Sequence, residues 1–203
     1  MNRNYFILTL IMLVLAAGTF FIPKKSMQQQ VKPSKLLWEI IQPTRYVSTD
    51  QVAKMIIQKD PSLELIDVRS ADEYARFSLP NTINIPLDSI VNENSMDYFG
   101  IPGTNVVFFS NDAIKADEAW VLTRRLGFNA TYVMKGGLNR WIETIIQPKE
   151  PAEESPRTVF ETYEFRKGAQ LYFTGAKVET TTAKKAKVVI RRKKKKVVAS
   201  GGC

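Results

Sequence analysis

The sequence predicts an α/β domain built on a parallel sheet, set between an apolar N-terminal segment and a basic C-terminal tail. Three observations lead there. Between Arg45 and Gln147, short apolar strands alternate with amphipathic helices, the order that strand-helix-strand units require. The most apolar strand, TNVVFFS from Thr104 to Ser110, shows no polar alternation, so helices must cover both of its faces. The formal net charge of +9 is concentrated: from Lys177 onward ten Lys/Arg stand against one acid, Glu179, leaving 19 basic and 19 acidic residues upstream. The folded part is therefore neutral, and the positive field belongs to residues 174–203.

Residues 1–23 form the first segment. Its core, YFILTLIMLVLAAGTFFI from Tyr5 to Ile22, carries no charge and as a helix reaches about 27 Å, close to the hydrocarbon thickness of a bilayer. A single-pass anchor is expected. A cleaved signal peptide is the rival, because Arg3 supplies a positive start and Ala16-Ala17-Gly18 a run of small residues, but the apolar run continues past that point. The short N-terminal tail favours an extracytoplasmic (periplasmic) domain, against the pull of Lys24, Lys25, Lys32 and Lys35 toward the cytoplasm. Residues 24–44 are a polar connector with one apolar patch, KLLWEII, expected to be a helix that docks on the domain.

The domain itself is expected over residues 45–147. Ser48 and Gln51 form a capping box that opens a helix running to about Lys59. LELIDVR (Leu63 to Arg69) is a buried strand, and Ser70 with Glu73 caps a short helix before the strand TINIP (Thr82 to Pro86). The strand ending at Ser110 leads into a helix from about Lys115 to Leu126, closed by Gly127. TYVM (Thr131 to Met134) then turns through Gly136-Gly137 into the helix LNRWIETII. The chain has no histidine, which excludes Ser-His, Cys-His and His-ligated metal schemes, and its one cysteine, Cys203, excludes a Cys-based metal site. No cofactor is expected, and Gly136-Gly137 lacks the other glycines of a dinucleotide fingerprint.

The segments LIDVRSADEYARFSLPNTINIPL, VVFFSNDAIKADEAWVLTRRLGF and TYVMKGGLNRW resemble, in order and spacing, the rhodanese domain of the sulfurtransferase family. The resemblance implies a five-stranded parallel sheet flanked by helices, with an active-site loop after a central strand. In active members a cysteine ends that strand, and a six-residue loop closed by arginine wraps its amides around the sulfur. Such a nest at a helix N-terminus stabilises a thiolate or persulfide and binds anions. Here the corresponding loop is Ser110, Asn111, Asp112, Ala113, Ile114 and Lys115, with serine at the cysteine position and lysine at the arginine position.

A serine oxygen cannot carry a transferable persulfide, and no histidine is available to activate it. Ser110 is therefore read as a small residue fitting a tight turn and capping the following helix through its hydroxyl. Lys115 is either a solvated lysine or an anion ligand. Asp67 and Arg69 are expected to support the pocket through an ion pair or hydrogen bonds at the strand end. The expectation is a membrane-anchored, catalytically degenerate module for binding or scaffolding, linked to sulfur metabolism.

Residues 148–173 form a linker and a helix from Arg157 to about Tyr172, with Ser155-Pro156 at its start and Val159, Phe160, Tyr163 and Leu171 as its docking face. The tail, with its RRKKKK block, suits anionic lipid or an acidic protein, while nucleic acid is disfavoured beside a membrane anchor. Its last residue is Cys203, behind a Ser-Gly-Gly swivel. The alternative function follows from it: a sulfurtransferase or sulfur relay in which Cys203 is the catalytic persulfide carrier, exchanging with a sulfur-carrying protein.

Overall fold

A computed structural model describes residues 3–20 and 30–175 of the chain. Helix α1 (Arg3–Phe20) covers most of the apolar run, and its large apolar side chains from Tyr5 to Leu15 are exposed. Among the described residues no helix is long and apolar enough to cross a membrane. The last two positions of the expected span, residues 21 and 22, lie outside the described residues, as do Cys203 and nearly all of the basic tail.

Helix α2 (Pro33–Ile40) starts with proline at its first turn, where the missing N–H is an orphan anyway. After the short strand β1 (Tyr46–Val47), Ser48 and Gln51 make the reciprocal capping box of α3 (Thr49–Gln58). Strand β2 (Leu63–Asp67) leads to α4 (Ala71–Arg76), opened by the second capping box, Ser70 with Glu73. Then follow β3 (Thr82–Asn84), α5 (Glu93–Met96), β4 (Asn105–Phe109), α6 (Ile114–Arg125) and β5 (Thr131–Met134). Helix α7 (Gly137–Trp141) continues as a π-helical stretch, Ile142–Ile146, and α8 (Arg157–Thr174) closes the described chain.

The five strands form one parallel sheet in the order β1-β5-β4-β2-β3. Alternation along each strand sends neighbouring residues to opposite faces. Leu65, Val107, Phe109 and Met134 pack with Val52, Ile56, Trp141 and Ile145, under α3, α7 and α8. Ile66, Val106, Phe108 and Val133 pack with Ala116, Ala119, Trp120 and Phe128, under α6. The helical cover inferred for the apolar central strand is present on both sides.

Two local expectations change. Helix α8 begins after Pro156 with no side-chain cap, so Ser155 does not cap it. Its inward face is Phe165, Ala169 and Phe173 rather than the face that includes Val159, which is 43% exposed. Phe173 meets the Trp141 ring edge-on at 5.0 Å, and Arg166 forks onto both Asp50 oxygens at 2.7 Å. The bidentate pair to α3 goes with this rotation, and its partner Asp50 is not visible from the periodicity of α8.

Candidate functional site

The sheet presents its C-terminal edge to the loop joining β4 to α6. Phe109 is the last residue of β4, and Ser110 follows it into the interior at 1% exposure. Its hydroxyl donates to the Asp112 carbonyl at 2.6 Å. The side chain therefore does not cap α6, as the sequence suggested. Asp112 takes that role, its Oδ1 accepting the Ile114 amide at 2.9 Å.

The loop is held from behind by the start of α7. Leu138 N donates to the Ser110 carbonyl and Asn139 N to the Asn111 carbonyl, both at 2.9 Å. Gly137 makes this approach possible: at φ +57°, a Cβ there would lie 2.4 Å from the carbonyl oxygens of both Ser110 and Asp112. With the carbonyls of Ser110, Asn111 and Asp112 all engaged inward, planar trans peptides turn the amides of Asn111, Asp112 and Ala113 the other way, toward the exposed side. Among the described residues these three amides, and those of Lys115 and Ala116 in the first turn of α6, have no hydrogen-bond acceptor.

A buried polar network holds the side of the loop. Asp67, at 0% exposure, and Arg69, at 5%, pair through Nη2–Oδ2 at 2.7 Å and Nε–Oδ1 at 3.0 Å. Ser78 Oγ donates to Asp67 Oδ2 at 2.8 Å, and Arg69 also donates to the Phe77 carbonyl. Arg69 Nη1 reaches Asn111 Oδ1 at 3.0 Å, and Asn111 Nδ2 donates to Glu73 Oε1 at 2.7 Å. Asn111 is thus a strap from the loop to the start of α4. The Ser70 hydroxyl first, then the Asn111 amide, the Ser70 backbone and the nearby Lys115 charge hold the Glu73 carboxyl below the usual glutamate range.

The structure thus brings Ser110 to Lys115 together with Asp67 and Arg69, and adds Glu73, Ser78 and Gly137. Glu73 reads in the sequence as a helix cap only, and its second bond, to Asn111 38 positions away, has no local signature. Chemically, the arrangement offers a rim of outward amides at the positive end of a helix. Asp112 and Lys115, both exposed, supply opposite charges there. The Ser110 hydroxyl proton is engaged inward.

Comparison with known proteins agrees with this architecture. The family model described as the rhodanese-like domain matches residues 48–144. Those residues are a rhodanese-like domain. The chain is 25% identical over 105 residues to the thiosulfate:glutathione sulfurtransferase of Saccharomyces cerevisiae, covering 47% of this chain and 76% of that protein. It is 28% identical over 115 residues to the adenylyltransferase and sulfurtransferase uba4 of Ogataea parapolymorpha, covering 55% of this chain but 27% of that protein. The chain thus spans about a quarter of that second relative. Among solved structures, the single-domain sulfurtransferase RDL2 of Saccharomyces cerevisiae is 23% identical, with a TM-score of 0.41 over 48% of this chain and 88% of that one. In the rhodanese-like domain of this chain, the six residues that the sequence resemblance singled out comprise the turn after β4, residues 110–113, and the first two residues of α6, Ile114 and Lys115.

Proposed function

We propose that the chain is a membrane-anchored rhodanese-like module whose loop, degenerate at Ser110, binds an anionic group on a partner tied to sulfur metabolism without turning it over. One observation carries this reading: the Ser110 hydroxyl is buried and bonded to the Asp112 carbonyl, while the amides of Asn111, Asp112 and Ala113 face outward unpaired. An outward nest attracts an anion, whereas the inward Ser110 hydroxyl is engaged by the Asp112 carbonyl and has no histidine to take its proton. The sulfurtransferase names of the relatives support the link to sulfur chemistry. The uncharged run 5–22 supports a single-pass anchor, the short segment before it favours the domain on the extracytoplasmic side, and the lysine-rich tail supports contact with anionic lipid or an acidic protein.

The test uses the full chain in detergent, incubated with thiosulfate. Added sulfur is mapped by mass spectrometry, transfer to cyanide is assayed, and loop amides are followed by NMR during a thiosulfate titration. The expected result is a shift of the Asn111, Asp112 and Ala113 amides with no sulfur added and no thiocyanate formed. Turnover that survives Cys203→Ser would overturn the reading. Turnover abolished by Cys203→Ser would replace it with a sulfur relay through the tail.

A further inference from the structure

Helix α2 docks by one side and leaves the other side apolar. Its half-buried positions are Leu36, Glu39 and Ile40: Ile40 packs against the Ile66 and Phe108 side of the core, and Glu39 pairs with Arg124 of α6 at 2.6 Å. At about 100° per residue, Leu37, Trp38 and Ile41 point away from that contact. They are 65%, 63% and 73% exposed. Ile41, the C-cap, keeps helical backbone angles and extends the stripe. Scattered exposed apolar residues need no explanation, but three adjoining large ones on one helix face mark a contact surface.

The flanks identify the contact. Lys32 is exposed and Lys35 is 63% exposed, while the one acid of the helix, Glu39, is already engaged by Arg124 at 2.6 Å and Lys35 at 3.9 Å. Tryptophan and aliphatic side chains beside lysines suit the boundary between lipid headgroups and acyl chains, where lysine stems extend to the phosphates. A second copy on the same face would bring the lysines of both copies together. Chain length adds a constraint. The thirteen steps from Phe20 to Pro33, at ~3.5 Å each, reach at most ~45 Å, so a bilayer holding α1 lies within that distance of α2.

We propose that α2 rests on the bilayer surface, with Leu37, Trp38 and Ile41 at the acyl boundary and Lys32 and Lys35 at lipid phosphates. This rests on reading residues 5–22 as a membrane anchor. Because α2 meets the last turn of α6, the loop at the first turn of α6 stands one helix length away, about 18 Å, and is left uncovered.

The test reconstitutes the full chain into phosphatidylcholine and phosphatidylglycerol vesicles, with and without bromine placed high on the acyl chains. Of the three tryptophans, Trp120 and Trp141 are 3% and 1% exposed and α1 contains none, so bromine quenching reports on Trp38. The expected result is loss of the Trp38 share of emission in brominated lipid, absent in Trp38→Phe. The double variant Leu37→Ser, Ile41→Ser should lose most of the quenching while the domain melts unchanged. If the chain floats with vesicles and resists carbonate extraction yet shows equal emission in both lipids, the α2 contact is wrong and the anchor stands. If the chain does not float, both fall. A blue shift of Trp38 that grows with protein concentration in detergent would assign the face to a second copy and overturn the proposal.

Discussion

The two ends of α6 solve opposite problems. At its first turn, Ile114–Asp117, the helix has no cap from its own N-cap residue, Ala113, and one donor is taken by Asp112 while other amides face outward. The polar groups there are held by partners 38 and 42 positions away, Glu73 and Arg69 on Asn111. At its last turn the helix is closed by its own Arg124, which donates to the carbonyls of Phe128 and Asn129 and pairs with Glu39 of α2. The first end exposes backbone donors, and the second exposes apolar side chains carried by α2. The difference shows that one helix can leave backbone donors open at one end and carry an exposed apolar neighbour at the other when distant segments satisfy its remaining polar groups.

The largest effect should come from breaking the first end at its buried ion pair. Arg69→Met leaves Asp67 charged with 0% exposure, and loss of about 3–5 kcal/mol is expected in urea unfolding followed by near-ultraviolet circular dichroism. A full-stability variant would show that the loop does not depend on this pair.

Next comes Gly137→Ala, which places a Cβ 2.4 Å from two loop carbonyls at a positive φ. We expect a loss of about 2–3 kcal/mol, accompanied by faster amide exchange at Leu138 and Asn139. Unchanged exchange would mean that the loop is not held by α7.

At the other end, Arg124→Met removes a largely buried link to Glu39 and should lower stability by about 1–2 kcal/mol. Hydrogen exchange should rise in Pro33–Ile40 and stay constant in the loop. Coupled loosening of both ends would show that they are one cooperative unit rather than two.

The smallest effect is a pH effect, read at Glu73. Its folded pKa is lowered, so the charged form favours the folded state above the unfolded glutamate value, and that contribution is lost as pH falls through the folded value. The carboxyl should titrate below the usual value of about 4.3 in an NMR pH series. Ser70→Ala should move it upward more than Asn111→Ala does, because the Ser70 hydroxyl is the larger cause. The reverse order would place the strap, rather than the cap, in control of this carboxyl.

Much of this architecture was legible in the chain. Strand-helix order follows from apolar periodicity, and both capping boxes follow from residues three apart, Ser48 with Gln51 and Ser70 with Glu73. Such signals are local, so a linear reading captures them. Residues 110–113 link β4 to α6, and the last two positions of the expected six-residue loop, Ile114 and Lys115, are the first two of the helix. What the linear reading missed depends on tertiary packing: the inward turn of the Ser110 hydroxyl, the Asn111 strap to Glu73, the rotation of α8 that buries Ala169 and pairs Arg166 with Asp50, and the outward apolar side of α2.

By itself the sequence determined the element order, the concentration of the net positive charge in the tail, and the serine and lysine at positions 110 and 115, because composition and short-range spacing contain all of that. Only the tertiary structure decided which way the loop atoms face. The direction of a hydroxyl or an amide is set by whichever acceptor packing brings within about 3 Å, and here those acceptors and donors arrive from Asp112, Leu138, Asn139 and Arg69.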